Sequence, residues 1–135
     1  MKTITATMER AKDGTFSVFC MEEMFSGMGA SEEEAVKDMT DQMRLFKKSA
    51  QEKGLPYPAF LDGKYKIVYQ KNIQSYLSYY AGILTFSGLE QLTGTNQKQL
   101  WRYAHGLSIP RAEQTRKIEA GLHKLGHDLC SVSLL

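Results

Sequence analysis

The segment from Ser87 to Gly106, SGLEQLTGTNQKQLWRYAHG, restricts the fold of this chain more than any other stretch. Apolar residues at helical spacing precede Gly94, and glycine suits the left-handed turn that ends a short helix. A second apolar helix face follows and comprises Leu100, Tyr103 and Ala104. Gly106 is the residue type that closes such a helix. The segment therefore predicts two short helices joined by a tight turn.

The start of the second helix is polar and carries side chains that can pair with base edges in a DNA major groove. Glutamine can bond adenine through both of its polar atoms, and lysine or arginine can reach guanine or phosphate. We therefore expect sequence-specific binding of double-stranded DNA through Asn96, Gln97, Lys98, Gln99 and Arg102. The alternative is a polar helix that only faces solvent, because many helical pairs share this spacing.

The flanking segments predict two more helices. Asn72 can cap a helix that runs to about Gly82, and Pro110 suits the first turn of the last helix. The apolar stripe of the first comprises Ile73, Leu77, Tyr80, Ala81 and Leu84. The stripe of the last comprises Ile118, Leu122, Leu125 and Leu129. Candidates for phosphate contacts near the start of the last helix are Arg111, Arg116 and Lys117. Residues 71–135 are thus expected to form an all-α helix-turn-helix domain.

Residues 1–70 show strand patterns at both ends. Lys2 to Met8 alternates apolar residues with threonines, and Asp13-Gly14 is a hairpin signal before a second strand over Thr15 to Met21. Met24 to Ala30 can hold a short third strand, and Lys64 to Tyr69 indicates a strand that returns to the sheet.

A long helix is predicted between these strands. Ser31 and Glu34 form a capping box, and Gly54 followed by a proline-rich segment ends the helix. Its apolar stripe comprises Val36, Met39, Met43, Phe46 and Ala50. The stripe favours packing on the sheet over a groove for a partner. The expected fold class is α+β, with a small antiparallel ββ(β)αβ domain in residues 1–70 whose sheet edges are suited to dimerisation.

Composition fits a folded, soluble chain, since 42% of the residues are hydrophobic and 24% are charged. No apolar run approaches the roughly 20 residues of a membrane helix, and the N-terminus lacks the apolar core of a signal peptide. A cytoplasmic location is expected, with Cys20 and Cys130 as buried or semi-buried free thiols.

The charge is distributed unevenly along the chain. Residues 1–70 hold 10 Lys+Arg against 11 Asp+Glu, a net of −1, and residues 71–135 hold 7 against 4, a net of +3. This bias permits nucleic-acid binding by the C-terminal part without demonstrating it. A single domain of this kind would bind DNA weakly, so at least a dimer is expected.

No residue pattern predicts catalysis or a cofactor. The carboxylates of residues 1–70 that lie outside the helix are scattered, and this part contains no histidine. His123 and His127 have a spacing that can bind a metal, but no third ligand lies nearby in the sequence. We therefore expect a non-enzymatic protein without a cofactor or metal.

Two resemblances agree with this interpretation. The segment from Leu89 to Gly106 resembles the Xre/phage-repressor class of helix-turn-helix, whose Gly-Thr/Ile-x-Gln-x-x-Leu pattern is matched by Gly94, Thr95, Gln97 and Leu100. The Gly-x-x-x-Pro-Arg step of that class is matched by Gly106, Pro110 and Arg111. This resemblance implies that Gln97, Lys98 and Gln99 read bases, Asn96 caps the helix and Arg102 contacts phosphate. Two departures are Glu90, where a small residue is usual, and Thr93, where an apolar one is usual.

The N-terminal part is similar to HicB-type antitoxins, which have a degenerate RNase H-like domain with the pattern Gly-x-Gly-x-[Ser/Thr]-x-x-Glu-Ala. The matching residues are Gly27, Gly29, Ser31, Glu34 and Ala35. The resemblance implies that this domain neutralises a HicA-like ribonuclease toxin and that the C-terminal domain represses its own operon. The loop MEEMFSG departs from the usual proline-containing sequence before the glycines. The rival interpretations are a stand-alone dimeric repressor, whose N-terminal domain dimerises or senses a ligand, and a residual nuclease.

Overall fold

Alternating apolar residues at the start of the chain form the middle of a four-stranded sheet. In the computed structural model, which describes all 135 residues, the strands are β1 (Lys2–Arg10), β2 (Phe16–Cys20), β3 (Phe25–Gly29) and β4 (Tyr65–Lys71). Their order in the sheet is β3-β2-β1-β4. One face of β1 is buried through Ile4, Ala6 and Met8, and its threonines lie on the other face, as the alternation predicts.

The sheet is mixed, so the prediction of an antiparallel sheet was wrong for one of its strand pairs. β1–β2 and β2–β3 are antiparallel, whereas β4 runs parallel to β1. The reason is the long helix between β3 and β4, α1 (Glu32–Lys53). A helix of this length carries the chain back along the sheet, so the returning strand enters at the end where β1 begins.

The Ser31 cap predicted for α1 is present, and Glu34 reaches back to the residue before the cap. The Ser31 hydroxyl accepts a hydrogen bond from the Glu34 amide (3.1 Å), and the Glu34 carboxylate accepts one from the amide of Ala30 (2.8 Å). Gly54 ends the helix in the left-handed region with φ of 66°. The side chains that α1 buries are Ala35, Met39, Met43 and Ala50. Phe46, predicted to be buried, is 46% exposed, and its only ring contact is an edge-to-face one with Phe25.

The glycines of β3 allow α1 to approach the sheet closely. A β-carbon at Gly27 would collide with the backbone of Met39 and Ala35, and one at Gly29 would lie 2.5 Å from Glu34 Cβ.

The connection after α1 contains a 3-10 turn (Ala59–Asp62). Hydrogen bonds to the Asp62 carboxylate, chiefly from Lys47 and also from Tyr57, hold the pKa of Asp62 below its usual range.

The remaining elements are helices, namely α2 (Ile73–Ala81), α3 (Phe86–Thr93), α4 (Gln97–Ala104) and α5 (Ala112–Cys130). The chain divides into two compact units, unit 1 (Met1–Asn72) and unit 2 (Ile73–Leu135). The core of unit 2 consists of Leu77, Leu89, Leu100, Tyr103, Ala104 and Ile118.

Several predictions for the last helix were wrong in detail. Arg111 is the cap residue and the helix begins at Ala112, so Pro110 precedes the cap instead of lying in the first turn. Leu129 is 62% exposed, and Cys130 is exposed as well. Both lie in the final turn of α5, whereas the core residues of that helix lie nearer its start.

Candidate nucleic-acid interface

The turn between α3 and α4 is fixed by bonds from both helices. Thr85 caps α3 by accepting a hydrogen bond from the amide of Gly88 (2.9 Å). Gly94 has φ of 72°, and its amide donates to the carbonyl of Glu90 (2.8 Å). At the other side of the turn, Asn96 Oδ1 accepts from the amide of Lys98 (2.8 Å), so Asn96 caps α4.

The two residues that depart from the repressor pattern both stabilise this turn. Glu90 Oε1 accepts a hydrogen bond from the amide of Gln97 (3.0 Å), which satisfies a second amide at the start of α4. The buried hydroxyl of Thr93 donates to the carbonyl of Leu89 (2.7 Å) and accepts from the amide of Thr95 (3.2 Å). A carboxylate and a hydroxyl thus lie where a small and an apolar residue are usual, and both have hydrogen-bond partners.

One face of α4 is held rigidly by the core and the other is exposed. Leu100 is fully buried, and Tyr103 and Ala104 are each 5% exposed. The exposed side of α4, which we call the α4 face, consists of Gln97, Lys98, Trp101, Arg102 and the adjoining His105. A polar and cationic surface on a fixed helix is the geometry that reading a DNA groove requires.

The sequence-predicted site residues do not all share this face. Gln97 and Lys98 are exposed at the start of α4. Gln99 is only half-exposed, and its Nε2 donates to the hydroxyl of Ser108 (3.1 Å) in the segment after the helix. The Arg102 guanidinium donates to the carbonyl of Leu107 (3.4 Å) while remaining exposed. This bond directs the Gln99 amide towards the segment after the helix, so Gln97 is the better placed of the two glutamines.

A cleft of about 500 Å³ lies beside the start of α4. Arg111, at the cap position of α5, and Lys117, whose Cε lies near Gly94, supply its positive charge. Asn96 and Gln99 line the same cleft from α4. The structure therefore brings Arg111 together with Asn96 and Gln99. Arg116, also a candidate from the sequence, is exposed and does not line this cleft.

The α4 face includes an aromatic pair that the sequence interpretation did not identify. The rings of Trp101 and His105 are stacked, with centroids 4.1 Å apart, and His105 Nδ1 lies 2.8 Å from the carbonyl oxygen of Trp101. Trp101 is 44% exposed. The i, i+4 spacing of the two residues on an exposed helix was the available signal.

Unit 1 carries a separate groove of about 710 Å³ between β3 and α1, which we call the β3 groove. Met24 and Met28 line it and are 83% and 63% exposed, and Phe46 lies at its α1 side. Met24 has φ of 59°, a strained value for a residue with a side chain. The exposed apolar side chains of this groove make it a candidate surface for a protein partner.

Within the 135 residues, no group of three or more His, Cys, Asp or Glu side chains has an arrangement that can hold a metal ion. None of the helices is both long enough and apolar enough to cross a membrane. Comparison of the chain with protein-family models, with curated proteins and with solved structures found no match.

Proposed function

We propose that this protein is a cytoplasmic antitoxin and repressor, which binds the operator of its own operon through α4 and neutralises a small ribonuclease toxin through unit 1. The DNA-binding half of the proposal rests on one observation above all. The α4 face exposes Gln97, Lys98 and Arg102 on a helix whose opposite side is buried and whose start is capped by Asn96 and Glu90.

The cleft beside α4 supports the same role. Arg111 and Lys117 line this cleft with positive charge that favours contact with phosphates, and such contacts fix the register of a protein on DNA. Base readout and phosphate contacts thus come from adjoining elements of unit 2, with Trp101 available for apolar contact with a thymine methyl group or a sugar.

The antitoxin half of the proposal rests on the resemblance of residues 1–70 to HicB-type proteins and on the β3 groove. Met24, Met28 and Phe46 form an exposed apolar surface that another protein can cover. The second candidate function is a stand-alone dimeric repressor without a toxin, whose N-terminal domain dimerises or senses a ligand.

Footprinting on the DNA upstream of the protein's own gene tests the DNA-binding role. Gln97→Ala should weaken cognate binding by about 1–3 kcal/mol if Gln97 pairs with a base, and binding to random DNA should change little. Gln42→Ala, which removes an exposed glutamine from α1, is the matched control and should leave both affinities unchanged. Absence of a footprint, or equal loss on cognate and random DNA, contradicts base reading by Gln97.

Co-expression with the product of the adjoining short gene distinguishes the two candidate functions. An antitoxin should co-purify with that product and suppress its ribonuclease activity, and Met24→Asp should abolish both effects without changing the footprint. Met21→Asp, at another exposed methionine that does not line the β3 groove, is the control. A footprint without any complex favours the stand-alone repressor.

A further inference from the structure

The two edges of the sheet differ in how their outward backbone groups are satisfied. On β3 and the residue that follows it, the amides of Met28 and Ala30 donate to Asp38 Oδ2 (2.9 Å) and Glu34 Oε2 (2.8 Å). Two carboxylates of α1 therefore occupy this edge. A second strand cannot pair along it without displacing them.

The edge formed by β4 has no such protection. The amide of Asn72 donates to the carbonyl of Met8 on β1 (2.8 Å). Every second residue back from Asn72, namely Gln70, Val68 and Lys66, therefore directs its backbone groups towards β1. Because backbone groups alternate between the two sides of a strand, Tyr65, Ile67 and Tyr69 direct their amides and carbonyls outwards. These outward groups have no hydrogen-bond partner within the chain.

The side chains of β4 are also incompletely covered. α1 packs mainly against β3 and β2, and it covers the β4 side of the same sheet face less completely. Tyr65 and Ile67 are half-buried there, and Tyr69 is 38% exposed beside a cleft of about 250 Å³ that Val36 also lines. An added strand would cover these side chains and would at the same time supply hydrogen-bond partners for the outward amides and carbonyls of β4.

We propose that β4 pairs antiparallel with β4 of a second copy of this chain, with Ile67 opposite the partner's Ile67. In this register Tyr65 lies opposite the partner's Tyr69, and the three outward-facing residues form hydrogen-bonded pairs that exchange two bonds each. On the sheet face that α1 packs on, Ile67 then pairs with the partner's Ile67 and Tyr65 with the partner's Tyr69. Such β-branched and aromatic cross-strand pairs are favourable. On the other face Lys66 lies opposite the partner's Val68, so no like charges meet.

A second copy is the occupant that the two edges favour. The pairing is symmetric, so each copy supplies the same strand and the assembly closes as a dimer. Pairing of β4 with β3 of another copy would instead be head-to-tail and would not close as a dimer, and Asp38 and Glu34 oppose it. The inference concerns unit 1 and does not depend on DNA binding, although a dimer would supply the proposed repressor with two copies of α4.

Sedimentation equilibrium of the full chain tests both the dimer and its register. Val68→Lys should raise the dimer dissociation constant about tenfold, because it places lysine opposite the partner's Lys66 at two symmetric positions. Val68 is 39% exposed on the sheet face opposite α1, so the substitution should leave the circular dichroism spectrum unchanged. Combining Val68→Lys with Lys66→Glu should restore dimerisation, because opposite charges then meet.

Ser26→Lys is the matched control, since Ser26 is exposed on β3 at the protected edge, and it should leave the dimer unchanged. A full chain that is monomeric at every concentration would overturn the proposal. Equal weakening by Ser26→Lys and Val68→Lys, or no restoration by Lys66→Glu, would overturn it as well. The footprint is measured separately, so failure of this dimer and failure of DNA binding are distinguishable.

Discussion

At the scale of single residues, two neighbouring threonines of the α3–α4 turn should respond oppositely to the same substitution. Thr95 is 5% exposed and its hydroxyl has no hydrogen-bond partner, whereas the Thr93 hydroxyl both donates and accepts. An unsatisfied buried polar group costs about 1–3 kcal/mol. Thr95→Val keeps the shape and should raise the free energy of unfolding by about 1 kcal/mol, measured by urea denaturation. Thr93→Val should lower it, and a change of the same sign in both variants contradicts this account.

Much of this turn could be predicted residue by residue from the sequence. The left-handed Gly94 and the cap at Asn96 follow from residue type and local spacing. The role of Glu90 could not be predicted, because its carboxylate bonds an amide seven residues later and only the bend between the helices brings them together. The bond between Gln99 and Ser108 was missed for the same reason.

At the scale of elements, close approach of helices decides what a glycine does. Gly121 lies within α5, where helix propensity alone favours alanine by about 1 kcal/mol. A β-carbon at Gly121 would lie 2.5 Å from the Leu92 carbonyl oxygen and 2.9 Å from Thr93 Cα, so α3 and α5 would have to separate. Gly121→Ala should therefore lower the free energy of unfolding by about 1–3 kcal/mol.

Gly126→Ala, in the same helix, is the matched control for this prediction. A β-carbon at Gly126 has no neighbour within 4 Å, so alanine there should stabilise α5. Thermal unfolding of both variants measures the difference. Stabilisation by Gly121→Ala would show that α3 and α5 do not pack as closely as described.

Elements were predicted from the sequence better than their arrangement. Alternation identified β1 and β2, and helical periodicity with a cap identified α1 and α4, because these signals are local. The parallel pairing of β4 with β1 depends on the path of α1 across the sheet, which no local pattern specifies. Gly27 and Gly29 similarly indicate close packing only once the partner helix is known.

At the scale of the whole molecule, the position of charge matters more than its sum. Residues 73–135 hold 6 Lys+Arg against 4 Asp+Glu, a net of only +2. Five of the six basic residues nevertheless lie on α4, at the α5 cap or in the first two turns of α5, namely Lys98, Arg102, Arg111, Arg116 and Lys117. The modest net charge therefore conceals a local concentration of positive charge beside the proposed reading helix.

This concentration makes the salt dependence of DNA binding a test of both the phosphate contacts and the dimer. Each phosphate contact contributes about 0.9 to the slope of log affinity against log salt concentration. Arg111→Ala should reduce that slope by about one for a single bound chain and by about two for a dimer with both copies on DNA. Fluorescence anisotropy across a salt series measures this slope.

Two control variants should leave the slope unchanged. Lys124→Ala removes an exposed lysine farther along α5, and Gln97→Ala acts on affinity at the cognate operator alone. An unchanged slope in Arg111→Ala would remove Arg111 from the interface, and a reduction of one would mean that a single copy engages the operator.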